Sequence, residues 1–411
     1  MTEVIFESPG EWWLPSNESR RIPGILRIDP AGALRIDLFE ALDEDVSNFG
    51  AAAVRPVLHG SLHKSPLSGG TEVTHFDSFA VRRSLRGNGT SAEQFVANGS
   101  YVGDEHLEAS DQPYGSYGAR FTGLSGWLPF STVKRSARDG KVAIEVERPI
   151  KWTTMISGAR VEFGKAAGIS YSDDETAVRE HAEVIWTLDA ACPADAFRRE
   201  FLVPLEFLLT LALGEKASVD KLDIVLSDGV PWPHEVHDLT VWGRAARRQA
   251  PAGAVHARDA LIAPPQDESH LQQLIESWRD VHARMRPAID RMFALWEEPP
   301  KFVEVRFGAV CDVFELLSRG LPSGPEPSGV IEHLGPAVTA DLPPGAQIVE
   351  RYRDASRRLN RGERSDMHEL LRLSELQQWL MRFILLRELG VDLERAARAP
   401  AFRHVAQKFR S

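Results

Sequence analysis

The stretch GILRIDPAGALRIDLFEAL, residues 24–42, alternates apolar and polar side chains on both sides of Pro30-Ala31-Gly32. Successive side chains of a strand point to opposite faces, so this period-two pattern, broken by turn residues, predicts a β-hairpin. Ile25, Ile28, Leu34, Ile36 and Leu38 are the expected inward positions. The same grammar recurs outward from it. VRPVLHGSLHK (54–64), TEVTHFDSFAV (71–81), EQFVANGSYVG (93–103) and YGARFTGLSGWL (117–128) are short runs separated by Gly, Pro, Asn and Ser. KVAIEVERPIKWTTMI (141–156), ARVEFGKAAGISYS (159–172) and HAEVIWTLDAA (181–191) continue it. Many short strands with turn residues between them imply a sandwich or curved antiparallel sheets.

A helix is expected from near Pro193, where Phe197, Phe201, Leu205, Leu208, Leu209 and Ala212 fall at helical spacing and Pro204 must kink or interrupt it. KLDIVLSD and HDLTVWGR return to strand, and APPQDES (263–269) reads as a linker with Asp267 or Ser269 as a cap. Beyond it the period becomes about 3.6. Leu271, Leu274, Ile275, Trp278, Val281, Met285, Ile289, Met292, Phe293 and Trp296 form one stripe, which Pro287 should bend. Val303, Phe307, Val310, Phe314 and Leu317 form a second, Ile348, Tyr352, Ala355 and Leu359 a third, and Leu373, Leu376, Leu380, Phe383 and Leu386 a fourth. The expected class is therefore α+β: a β-rich antiparallel region over residues 1–262, with a break near 136–150 that would make two subdomains, then a helical bundle over 266–411.

At 411 residues the chain exceeds one compact core. No apolar run approaches the roughly 20 residues that cross a bilayer, and the opening MTEVIFESPGEWWLP lacks the basic and apolar regions of a signal peptide. Cys192 and Cys311 match no metal or redox spacing, so a reduced cytoplasmic setting with no membrane partner is expected. The net charge of −11 excludes a general nucleic-acid coat. Charge is uneven, however: from Arg351 onward thirteen arginines and one lysine stand against eight acids, which points to an anionic partner for the tail. The alternative is a helix with a solvated arginine face.

Most chemical motifs are missing. There is no P-loop, no G-x-S-x-G and no H-E-x-x-H. His59 and His63 would lie about 13 Å apart along a strand at ~3.3 Å per residue, too far for one metal ion. His234 and His237 have no third ligand nearby in sequence. No cofactor or metal is expected, and Trp12, Trp13 and Trp127 read as core or edge aromatics.

GEWWLP, IPGILRID, LRIDLFEAL, VLHGSLH and FTGLSGWLP succeed one another in the order found in ApeA N-terminal domains, and the chain resembles that family. Such domains are β-rich modules of bacterial anti-phage defence proteins. The last third resembles the HEPN-type bundle found after them, through RFGAVCDVFELLSRG with Glu315 and the closing LQQWLMRFILLRELGV. The resemblance implies an abortive-infection type defence protein whose β-rich part meets a phage or host protein trigger. Its bundle would bind RNA and pair into a homodimer or higher homo-oligomer.

HEPN-type bundles that cut RNA use an arginine, a following polar residue and a histidine. An imidazole moves the proton of a 2′-hydroxyl or of the leaving oxygen, and a guanidinium holds the phosphate, with no metal required. The matching stretch is RYRDASRRLNRGERSDMHELL, residues 351–371. In the register set by LLRELG the arginine is Arg353, the polar residue Asp354, and the histidine position holds Arg358, which cannot serve as a base. A second register takes Arg361 and His368, with Gly362 inside it. The resulting reading is a defence protein with a degenerate motif. Two alternatives stand beside it: an active metal-independent endoribonuclease using Arg361 and His368, and a non-catalytic scaffold whose arginines pair with Asp354, Glu363, Asp366 and Glu369, starting with an Asp354–Arg358 pair.

Overall fold

The computed structural model describes residues 6–410 outside the segments 30–33, 43–53, 65–70, 86–90, 98, 104–105, 109–110, 139–140, 172–175, 226–237, 244–259, 298, 322–326 and 364–365. Two compact units result: Met1–Glu206 with Ala217–Ala254, and Phe207–Lys216 with Val255–Ser411. The class is α+β as expected, with antiparallel strands first and helices after.

The first unit begins with β1 (Phe6–Trp13), β2 (Ile22–Ile28), β3 (Leu34–Leu38), β4 (Val54–Leu62), β5 (Glu72–Leu85), β6 (Ser91–Ala97) and β7 (Gly99–Gly103). The hairpin read from residues 24–42 is β2–β3, with Ile28 opposite Leu34 and Leu26 opposite Ile36. Its turn, Pro30 to Gly32, lies outside the described residues. One inward assignment changes. Ile28 is buried, and a period of two then turns Leu26 inward, so half-buried Ile25 takes the other face.

Hydrogen bonding runs β5-β4-β1-β2-β3-β6, and β6 pairs back to β5, so six strands close a barrel rather than a sandwich. Strand β5 makes this possible. Its first part, Glu72–Phe76, pairs with β7, and its second, Phe79–Leu85, pairs with β6. Between them Asp77 has φ 49°, a conformation that a short polar side chain tolerates and that lets the strand bend away from one neighbour toward another. The barrel is filled by Trp12, Leu26, Ile28, Leu34, Ile36, Leu58 and Phe95, all inaccessible or nearly so. Trp12 stands opposite Gly60 across β1–β4, and a Cβ at Gly60 would lie 2.7 Å from the indole nitrogen. The large ring needs the missing side chain.

The sheet continues from β7 through β15 (Asp238–Gly243), β14 (Val219–Val225), β8 (Pro113–Phe121), β13 (Thr176–Pro193) and β12 (Ala159–Tyr171) to β11 (Ile150–Ile156). A separate hairpin joins β9 (Val133–Arg138) to β10 (Lys141–Val146). The FTGLSGWLP segment forms the end of β8 and a single turn, α1 (Leu124–Trp127). Buried Lys165 of β12 ties down the chain just after α1, donating to the carbonyls of Leu128 at 3.0 Å and Phe130 at 2.5 Å. The helix expected near Pro193 starts as α2 (Ala194–Phe197), widens to a π turn over Arg198–Leu202 and continues as α3 (Val203–Leu213). Pro204 has no N–H to give, and the change of pitch just before it is how the helix absorbs that loss.

The second unit holds α4 (Glu268–Glu297), α5 (Val303–Gly320), α6 (Pro327–His333), α7 (Pro336–Thr339), α8 (Gly345–Asn360), α9 (Met367–Glu388), α10 (Leu393–Ala397) and α11 (Pro400–Arg410). The four apolar stripes are α4, α5, α8 and α9, and α4 runs through Pro287 without a break. Asp267 caps α4, its carboxylate accepting from His270 N at 2.9 Å. Trp296 and Trp379 enclose the Arg382 guanidinium at 4.6 and 4.7 Å, joining the end of α4 to the interior of α9 by cation–π contact. The sequence pattern does not reveal α6, α7, α10 and α11: the first three are too short to show a period. In α11, Phe402, Val405, Ala406 and Phe409 are buried, and Phe402 packs on Trp379 and Phe383.

Gly60→Val is expected to cost about 1–3 kcal/mol through overpacking against Trp12. Urea unfolding checks this, with Gly115→Ala as control, because a Cβ there meets nothing within 4 Å.

Candidate nucleic-acid interface

The arginine-rich stretch folds as the end of α8, a turn and the start of α9. Helix α8 buries Ile348, Val349, Tyr352 and Ala355 and leaves Arg353, Asp354, Arg357 and Arg358 exposed. Tyr352 anchors it: the hydroxyl donates to Leu373 O at 2.7 Å, and the ring stacks on Phe307 at 6.1 Å. Burial pushes this phenol well above its ordinary range. Arg351 reaches the Glu369 carboxylate at 2.6 and 2.9 Å and covers the Phe409 ring at 5.0 Å, so it holds α8 to α9 and α11.

Gly362 stops α8. Its φ is +67°, and Glu363 N donates back to Arg358 O at 3.0 Å, closing the helix end through a left-handed residue. The two members of the second register therefore sit on different elements. Arg361 is the residue capping α8, and His368 lies in the first turn of α9, its backbone N–H donating to the Asp366 carboxylate at 2.9 Å. Arg361 faces Glu363 at 3.6 Å. In the first register Arg353, Asp354 and Arg358 share α8, but Asp354 pairs with Arg357 at 3.1 Å. The expected partner was Arg358. Three residues of separation bring the acid to Arg357, and the exposed helix gives no reason for the longer span.

Among the described residues, Arg358 and Arg372 have no carboxylate within ion-pair distance, and both are exposed. Arg372 lies one turn after His368 on α9, where residues four apart have their Cβ atoms about 5–6 Å from each other. An imidazole and a guanidinium thus share one exposed helix face. Sequence reading missed Arg372. Its signal was the spacing of four from His368, which gains meaning only once α9 is known to start at Met367. Burial pushes the Cys311 thiol up to about 11, and it donates to Gln377 Oε1 at 3.5 Å.

A second concentration of titratable groups lies in the first unit. His59 of β4 stacks on His106 at 4.3 Å, and Trp13 meets the His106 ring edge-on at 5.2 Å. His106 Nε2 approaches Glu72 at 2.7 Å, and His59 Nε2 lies 3.2 Å from Leu107 O. His75 is fully buried against Ser100. His59 therefore meets His106 across the fold rather than exposed His63 four residues on. His234 and His237 lie outside the described residues. Among the described residues no three His, Cys, Asp or Glu side chains are placed to hold a metal ion, and no helix is long and apolar enough to cross a membrane.

Burial, then the neighbouring His106 and His59, lower the His75 imidazole to about 3. Burial and His59 lower His106 as well, against the pull of Glu72. The unfolded chain then binds protons that the folded chain refuses. Stability is complete above the ordinary histidine value of 6.5 and falls as pH drops from there toward 3, by about 1.4 kcal/mol per pH unit for His75. The urea midpoint of the full chain should be lower at pH 5 than at pH 7, with a smaller drop in His75→Asn. Equal midpoints at the two pH values in the wild type would contradict this.

A closed antiparallel barrel that extends into a long sheet, followed by helices with a basic exposed face, defines a protein of two dissimilar parts. Residues 7–278 match the family described as ApeA N-terminal domain 1, and the chain belongs to that family. Membership points to anti-phage defence. The matched region ends within α4. Comparison with curated proteins and with solved structures finds no match.

Proposed function

We propose that this chain is an anti-phage defence protein whose HEPN-like helical region binds RNA, with arginine in place of the base in the first register. The carrying observation is that exposed Arg358 near the end of α8 and exposed Arg372 on α9 lack ion pairs among the described residues, Arg372 standing one turn from exposed His368. Guanidinium groups not consumed by acids are free to neutralise phosphates, and the counterions so released make binding salt-dependent. Arg351, Arg357 and Arg361 are engaged with Glu369, Asp354 and Glu363, so the phosphate-facing set is smaller than the arginine count of the tail.

Fluorescence anisotropy with a labelled single-stranded RNA tests this reading. The double variant Arg358→Glu/Arg372→Glu should bind at least about tenfold more weakly than wild type and with a flatter dependence on salt. Affinity and salt slope unchanged by the double variant would refute it.

The shared face of His368 and Arg372 favours a second reading, metal-independent cleavage with His368 moving the proton. An exposed imidazole meets one requirement, but a base also needs a second group to protonate the leaving oxygen, and the carboxylates beside it are committed, Asp366 to capping α9 and Glu369 to Arg351. Incubation of total RNA with the full chain in EDTA should therefore yield no cleavage. Cleavage by the wild type that His368→Ala abolishes would establish the second reading in place of the first.

A further inference from the structure

Three large apolar side chains of the second unit are exposed among the described residues: Phe302 at 72%, Val305 at 56% and Met367 at 57%. All three belong to the starts of two helices, since Phe302 precedes α5, Val305 is in its first turn and Met367 opens α9. The packing of α5 on α9 sets these starts together. Cys311 meets Gln377 at 3.5 Å, while Phe307 and Leu373, four residues earlier on each helix, both hold Tyr352. Equal offsets mean that the helices run side by side in the same direction. Ten residues before the Cys311–Gln377 contact stand Lys301, next to Phe302, and Met367, at one level of the bundle.

The rim of this patch is cationic and short of acceptors. Lys301 is exposed with no ion pair among the described residues. Arg306, one residue after Val305, is half-buried and has no ion pair among the described residues. Exposed Glu304 is the one acid in the first turn of α5, and Asp366 is occupied in capping α9. Phe302 is the single aromatic of this patch, and Val305 and Met367 beside it offer no further flat face for a run of bases, which stack on successive aromatic platforms. They suit the apolar stripe of an amphipathic helix laid across them, whose carboxylates would meet Lys301 and Arg306.

We propose that the paired starts of α5 and α9 form a docking surface for an acidic amphipathic segment of a partner protein, with Phe302, Val305 and Met367 as the apolar floor and Lys301 and Arg306 as the charged rim. Apolar anchors inside a polar rim are the usual anatomy of such surfaces. This surface adjoins the RNA reading at the start of α9, where Met367 precedes His368, but its anchors Phe302 and Val305 lie on α5, whereas that reading rests on Arg358 and Arg372.

The test uses the full chain and a fluorescein-labelled synthetic helix of leucine and glutamate in heptad spacing, with a leucine–lysine helix as control. Saturable binding of the acidic helix is expected, at least about tenfold weaker for Phe302→Ser and for Arg306→Glu, as loss of an anchor or a paired charge implies. It should be indifferent to Arg358→Glu, and the lysine helix should not bind. Val305→Ser gives an independent variant, and thermal melts confirm that each variant folds. Absence of saturable binding, or binding that Phe302→Ser and Arg306→Glu leave intact, overturns the proposal. So does a wild type that self-associates in sedimentation and becomes monomeric on Phe302→Ser, because a second copy then covers the patch. RNA binding lost in Phe302→Ser would also overturn it, by assigning the patch to RNA.

Discussion

Strand β5 has one edge paired with β4 and the other divided between β7 and β6, and the closure of the barrel depends on that division. A strand of fourteen residues that kept one neighbour along its whole edge would extend a flat sheet. Asp77 breaks that regularity at the point of exchange. The second half of β5 can then turn toward β6, which reaches back through β3, β2 and β1 to β4. Closure satisfies strand edges that would otherwise invite pairing with other chains. It also creates the enclosed interior that Trp12 and Phe95 occupy.

The helical unit has a comparable tie in Tyr352. A single side chain uses its ring against Phe307 and its hydroxyl against Leu373 O, so α8 is fastened to α5 and α9 at once. Arg351 beside it adds a doubly bonded carboxylate and an aromatic face. With one face of α8 committed to these contacts, its other face has only solvent to meet. Arg353, Asp354, Arg357 and Arg358 are exposed for that reason, and their local pairing decides how much positive charge remains available. Two neighbouring arginines of one helix thus end differently, Arg357 against an acid and Arg358 without one among the described residues. Exposed pairs of this kind contribute only about 0–1 kcal/mol, so the ties that set the helix packing are the buried ones.

Much of the architecture was legible in the sequence because burial on one face imposes a period. The β2–β3 hairpin and the stripes of α4, α5, α8 and α9 could be read residue by residue, with Ile25 the inward position that failed. That failure lies in the assignment rather than in the pattern: Ile25 and Ile28 are three apart, and a period of two cannot turn both to one face, so with Ile28 inward it is Leu26 that joins it. The short helices α6, α7 and α10 were not legible, since fewer than two turns display no period. Among the candidate residues, sequence located the basic stretch and its histidine but could not see that Gly362 separates Arg361 from His368 by ending a helix.

By itself the sequence determined strands before helices, the faces that each long element buries, the charge asymmetry and the family resemblance. All of these are properties of local pattern and composition. Tertiary structure alone decided that the strands close a barrel, because that depends on β5 pairing with β6 across a change of neighbour at Asp77. It alone brought His59 to His106, from separate segments of the chain, and set the starts of α5 and α9 level. It alone placed Arg372 on the face of His368, since that required the start of α9. Contacts between residues distant in sequence leave no period behind them, and only the folded chain shows them.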